Sequence, residues 1–235
     1  SDPPRGTYPA APERFTHLNL PDSVTVVALK EKDQPFTVKL GFSGNACSAI
    51  LRSPSGKALL KIDRMDTDKR TTPETIPADG ETGLYRLEFR AHRAWAPIPQ
   101  TDLPHEAALL RNGKACFGMN TLAWLLPLEK GPVTLKFGSE KVGFRSLAHL
   151  RLEDARGASL LDKRLFLELK QSEAAVVLDP VVHPPPWKLD VVGSFQMTVV
   201  EPGRRFLVGS NLKSLDRIAA EMEKLFPAAG KKQAP

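Results

Sequence analysis

Two tandem antiparallel β-sandwiches followed by a short C-terminal α-helix are the architecture this sequence predicts, and three observations carry it. Short runs in which apolar residues alternate with polar ones are separated by turn signals. The pattern of one such set returns about a hundred residues later. Beyond residue 210 the apolar spacing changes from two to three and four, the period of a helix. The fold class is therefore all-β, each sandwich jelly-roll-like, with the helix as a terminal addition.

The repeat is legible residue against residue. Val26-Val27-Ala28-Leu29 matches Ala123-Trp124-Leu125-Leu126, and Pro35-Phe36-Thr37-Val38-Lys39-Leu40 matches Pro132-Val133-Thr134-Leu135-Lys136-Phe137. Ala49-Ile50-Leu51-Arg52 and Ser55-Gly56-Lys57-Ala58-Leu59-Leu60 answer to Leu150-Arg151-Leu152 and Arg156-Gly157-Ala158-Ser159-Leu160-Leu161. Leu84-Tyr85-Arg86-Leu87-Glu88-Phe89 stands against Pro186-Trp187-Lys188-Leu189-Asp190-Val191. The offset between partners grows slowly along the chain, as two copies with small loop insertions require.

Taken in order, residues 1–21 hold five prolines, Pro3, Pro4, Pro9, Pro12 and Pro21, and read as an extended arm. The first module spans 22–99, with turns at Lys32-Asp33-Gln34, Ser43-Gly44-Asn45, Ser53-Pro54-Ser55-Gly56 and Ala78-Asp79-Gly80. Its clearest strand runs from Leu84 to His92, where Tyr85, Leu87, Phe89 and Ala91 alternate with Arg86, Glu88, Arg90 and His92. Residues 100–115 read as a linker in which His105 to Leu110 forms a short helical turn. The second module spans 116–210. In the final segment, 211–235, Leu215, Ile218, Ala219, Met222 and Leu225 form the stripe of an amphipathic helix over Ser214 to Phe226, with Ser214 placed to cap it.

Composition narrows the function classes. At 41% hydrophobic and 26% charged the chain is that of a folded globular protein, and no run approaches the roughly 18 apolar residues of a membrane span. The net charge of +6 suits an acidic partner, but the basic residues are interspersed with carboxylates and no aromatic-basic or zinc-finger pattern accompanies them. No nucleic-acid partner is expected. Cys47 and Cys116 fall in different modules, and one pair suits either a bridge in an oxidising compartment or two buried thiols.

The order of signals in each copy resembles the small modules of the bacterial pre-peptidase C-terminal domain type. The residues that carry the likeness are the strand and tight turn Leu125-Leu126-Pro127-Leu128-Glu129-Lys130-Gly131, the strand Val133 to Phe137, the hairpins Ile50 to Leu60 and Leu150 to Leu161, and Gly83-Leu84-Tyr85-Arg86-Leu87. That resemblance implies a non-catalytic accessory or binding role beside a larger secreted enzyme, and a secreted or periplasmic location. It transfers no ligand residues.

Four residues are candidates for ligand contact. Arg86, Arg90 and His92 share one outward face with Glu88, where guanidiniums hold carboxylates or sulfates in bidentate fashion. Trp95 stands at a strand end just before Pro97, where its copy has Met197, and a ring there stacks on a sugar or covers a neighbouring module. Trp187, Tyr85 and Trp124 read as core. Asp63, Asp66 and Asp68 lack the glycine and distal glutamate of a calcium loop and have Arg64, Lys69 and Arg70 beside them. Neither metal nor cofactor is expected, and no catalytic motif is present among five dispersed histidines and scattered carboxylates. The expectation is a non-catalytic module that binds polysaccharide on a sheet face or in the groove between modules. The alternative is a structural subunit that engages a protein partner through the helix or an edge strand, and a hydrolase comes last.

Overall fold

The computed structural model describes residues 18–19, 24–39, 47–64, 74–91, 100–111, 114–117, 121–138, 147–166, 173–193 and 195–225. Strand β1 (Leu18–Asn19) precedes the first copy, which consists of β2 (Val24–Lys30), β3 (Phe36–Lys39), β4 (Cys47–Arg52), β5 (Ala58–Arg64), β6 (Glu74–Ile76), β7 (Gly83–Ala91), β8 (Gln100–Thr101) and β9 (Glu106–Arg111). Strand β10 (Lys114–Phe117) stands between the copies. The second copy is β11 (Thr121–Pro127), β12 (Val133–Gly138), β13 (Leu147–Glu153), β14 (Ser159–Phe166), β15 (Ala174–Leu178), β16 (Trp187–Val192), β17 (Phe195–Val199) and β18 (Arg205–Gly209). Helix α1 (Leu212–Leu225) follows.

The described strand pairs are antiparallel. Each copy is a sandwich whose eight described strands are dealt to two facing sheets in the same order. In the first, β5-β4-β7-β2-β9 faces β6-β3-β8, and in the second β14-β13-β16-β11-β18 faces β15-β12-β17. The tandem sandwiches and terminal helix are those the sequence predicts. Strands β9 and β18 then pair with each other, Ala108 opposite Val208 and Leu110 opposite Phe206, and fuse the two larger sheets into one of ten strands. Strand β10 extends the second copy's smaller sheet beside β17, and β1 pairs with β10. Residues ahead of the first copy thus finish on the sheet of the second.

The core follows from alternation. In the first copy Val26, Ala28, Ala49, Leu51, Tyr85 and Leu87 face Phe36 and Val38, and the Phe36 ring meets Tyr85 edge-on with centroids 4.9 Å apart. In the second, Ala123, Leu125, Leu150, Leu152, Trp187 and Leu189 face Val133, Leu135 and Phe137, and the two sets form one continuous core. Burying each such Leu or Phe contributes about 1.5–3 kcal/mol. The polar tips are satisfied alike in both copies: Tyr85 Oη donates to Glu81 O and Trp187 Nε1 to His183 O, each at 2.9 Å. Both hairpins carry the same register shift, after Leu51 and after Leu152, and both turn at a left-handed glycine, Gly56 at φ 92° and Gly157 at φ 81°.

A second apolar cluster lies on the opposite side of the large sheet, where Val27, Leu29, Leu84, Ala107, Leu109 and Leu207 are covered by Leu215, Ile218 and Met222 of α1. Trp124 packs against this cluster rather than in the core between the sheets. The double burial explains one difference from the sequence reading. Residues 105–110, read as a helical turn within a linker, hold strand β9, whose Ala108 and Leu110 enter the core while Ala107 and Leu109 lie under the helix. A strand buried on both faces has no alternation to show. The span 100–115 also holds β8 and the start of β10, so sheet strands lie where a linker is expected.

The helix begins earlier than predicted, and Asn211 caps it. The Asn211 Oδ1 accepts from Ser214 N at 3.2 Å, and the Asn211 carbonyl accepts from Leu215 N at 3.0 Å. Ser214 is instead buried in the first turn, where its hydroxyl donates to Pro104 O at 3.2 Å and lies 3.1 Å from His105 Nδ1. No helix among the described residues is long and apolar enough to cross a membrane.

Candidate functional site

The outward face of β4 and β7 carries the concentration of charge that the sequence singled out. Tyr85 and Leu87 enter the core, so Arg86 and Glu88 project the other way. Register places Arg52 directly opposite Arg86. Like charges in that position are destabilising unless something neutralises them. Arg52 Nε donates to Glu88 Oε1 at 3.2 Å, and Arg52 Nη1 reaches Gly56 O at 3.4 Å. A Cβ built at Gly56 would stand 3.6 Å from Arg86 Nη2, so that guanidinium lies over the same glycine. Both arginines therefore converge on the Ser53–Gly56 hairpin, and the one carboxylate between them serves Arg52. Arg86 is half-buried, with no carboxylate paired to it among the described residues.

The second copy supplies an internal comparison. Its residues equivalent to Arg52 and Arg86 are Glu153 and Lys188, again directly opposite and 3.7 Å apart as an ion pair. Beside them Arg151 Nη2 meets Asp190 Oδ2 at 3.2 Å, and His149 Nε2 lies 2.6 Å from Asp162 Oδ1. One copy neutralises its outer face internally. The other, among the described residues, leaves one guanidinium without a carboxylate.

The carboxylates near the hairpins hold turns. In the first copy the hydroxyls of Ser53 and Ser55 and the Ser55 amide all donate to Glu81, at 2.7, 2.8 and 2.9 Å, and hold its carboxyl below the ordinary value. The second copy does this with one residue. Burial alone would raise the Asp154 carboxyl, but the amides of Ala158 and Arg156 and the Arg156 guanidinium outweigh it, and the net shift is downward. Glu201 behaves likewise: burial raises it, and the hydroxyl and amide of Thr134 bring it below the usual range. Asp102 accepts from Thr37 N, the equivalent amide of the first copy, at 2.7 Å. Among the described residues no group of three or more His, Cys, Asp or Glu is placed to hold a metal ion.

Of the four residues nominated from sequence, Arg86 lies in the cluster just described. Arg90 lies farther along β7 opposite Ser48, and its side chain is outside the described residues. His92 and Trp95 lie outside the described residues, as do Asp66 and Asp68. Arg52 is the member that sequence reasoning missed. Alternation with the buried Ala49 and Leu51 sets Arg52 on the outward face, but no local signal says which residue of β7 stands across from it.

No family model matches the chain, and no curated protein matches it. Solved structures with partial likeness include procruciferin, an 11S globulin from Brassica napus, at 8% identity over 84% of this chain and 74% of that one, with a TM-score of 0.21. An 11S allergen from Cocos nucifera is 7% identical over 84% of this chain and 88% of that one, with a TM-score of 0.18. The infectious bursal disease virus Gt strain structure is 12% identical over 84% of this chain and 58% of that one, with a TM-score of 0.15. Likeness at that level carries no argument for a shared function.

Proposed function

We propose that this protein is a non-catalytic binding module that holds an acidic polysaccharide on the outer face of β4 and β7, in a secreted or periplasmic setting beside a larger enzyme or assembly. The observation that carries the reading is the Arg52–Arg86 pair, two guanidiniums in direct register with one carboxylate between them. A carboxylate or sulfate on a sugar chain supplies the missing anion, and guanidinium is the side chain best shaped to take it in bidentate fashion. The likeness of each copy to pre-peptidase C-terminal modules points the same way. The downward-shifted carboxyls Glu81, Asp154 and Glu201 each tie a turn or strand start, which is support for a scaffold role rather than acid–base chemistry.

The alternative is a structural subunit that engages a protein through the helix or an edge strand, and the packing of Leu215, Ile218 and Met222 on the chain's own sheet favours the edge strand as its contact.

Isothermal titration with polygalacturonate, dextran sulfate and neutral dextran tests the proposal. Saturable binding is expected for an acidic polymer and not for dextran. Arg86→Ala should weaken it about tenfold or more, the worth of one charge-assisted hydrogen bond, while Lys188→Ala on the neutralised copy leaves it unchanged. Absence of binding to both acidic polymers, or equal binding by Arg86→Ala, would overturn the assignment.

A further inference from the structure

The smaller sheet of the second copy ends in β15, Ala174-Ala175-Val176-Val177-Leu178, and no described strand lies beyond it. A terminal strand leaves a row of backbone N–H and C=O groups unpaired, and proteins ordinarily guard such edges with charge or brevity. The other sheet ends do so here. Strand β5 carries Lys61, Asp63 and Arg64, β14 carries Asp162, Lys163 and Arg164, β6 is three residues long and begins with Glu74, and β1 and β8 are two residues each. Strand β15, the counterpart of β6, is longer and has no charged residue.

Its outer face is apolar as well, with Lys136 of the neighbouring β12 opposite Ala175. Val177 is 64% exposed on the outer face, where it stands opposite Thr134, and Val200, 45% exposed, donates its amide to Thr134 O at 3.0 Å from the other side. The following turn presents Val181 at 84% exposure on a braced backbone, since Val181 N donates to Asp179 Oδ1 at 2.9 Å and Val182 O accepts from Arg156 Nη2 at 2.9 Å.

We infer that the edge of β15 pairs antiparallel with the same strand of a second copy of this chain, about a two-fold axis through Val176. The order of side chains within the strand selects this occupant. Small residues fill its first half and large ones its second, so antiparallel self-pairing sets Ala174 opposite the partner's Leu178 and Ala175 opposite the partner's Val177. Each small residue then meets a large one, on the inner and the outer face alike. A charge-free strand also asks for a partner edge that brings no charge to bury. The chain already performs this operation once, joining its two larger sheets edge to edge through β9 and β18. The pairing at β15 involves the other sheet layer and is independent of the Arg52–Arg86 face.

Sedimentation of the full chain from micromolar to several hundred micromolar concentration tests the inference. The expected result is a species of twice the chain mass for the wild type. Val177→Lys and Ala175→Glu, both at solvent-facing positions, should each give a single-chain species with unchanged circular dichroism. An equal mixture of the two variants should recover the double mass, because the register sets the ammonium introduced at position 177 of one chain against the carboxylate introduced at position 175 of the other. A wild type that stays at single-chain mass would overturn the inference, as would a dimer that survives both substitutions. Failure of the mixture to reassociate would overturn the register.

Discussion

Glu81 and Asp154 do the same job from different places in the sequence, each accepting hydrogen bonds that fix a hairpin turning at a left-handed glycine. Their folded-state values lie below the ordinary carboxylate range. Such a group contributes stability that is complete above its unfolded value and is lost as pH falls through the folded one. Glu81→Gln and Asp154→Asn should therefore lower the melting temperature at neutral pH, and the gap to wild type should close on acidification. Thermal melts at stepped pH would show it, and a gap that stayed constant into strong acid would mean that charge is not the cause. At this scale the sequence was informative where burial decides. Tyr85 and Trp187 are core residues in equivalent places, as alternation predicts. It was silent on Lys30, which is fully buried with Nζ donating to Ala78 O and Gly80 O at 2.9 and 3.0 Å. Nothing local announces that a lysine at a strand end will close a turn some fifty residues away.

Among the elements, α1 is bound by the face it buries. Leu215 and Ile218 are inaccessible to solvent beneath it, and Leu215 Cδ1 would lie 3.2 Å from a Cβ added at Gly209. Truncating either to Ala should cost about 2–5 kcal/mol, read as a lower urea midpoint with an unchanged slope. A loss near zero would mean that the helix contributes nothing to holding the sheet. The helix was legible because its period differs from everything before it, and its start was displaced because Ser214 and Asn211 are both plausible caps by composition. Strand β9 was illegible for the opposite reason. Within it, Ala107-Ala108-Leu109-Leu110 is apolar on both faces because sheet lies on one side and helix on the other, and periodicity does not separate that from a helical turn.

For the whole molecule, the internal repeat was readable and the seam was not. A strand's sequence records which faces it buries and says little about its neighbour, so nothing marked β9 and β18 as partners. Because the core runs unbroken from Phe36 to Phe137, both copies should unfold in a single transition. Phe36→Ala and Phe137→Ala should each move that one transition to lower denaturant, by about 3–5 kcal/mol, with tryptophan fluorescence and far-ultraviolet circular dichroism coincident. Two separable transitions, each moved by one substitution, would mean that the copies are energetically independent. The outer-face site was half legible: Arg86 came from alternation, and its significance came only from seeing Arg52 opposite it and an ion pair in the same place on the other copy.

The seam also orders events at the ribosome. Strand β9 is complete early, yet the strand that covers its open edge is the last of the sheet, and the helix that shields Ala107 and Leu109 comes later still. With about a hundred residues between them and elongation at roughly 5–20 residues per second, a nascent first copy carries a bare β-edge with an apolar centre for on the order of 5–20 s. The completed chain has no such edge at β9. The half-made one does, and that interval is when a chaperone has the most to protect.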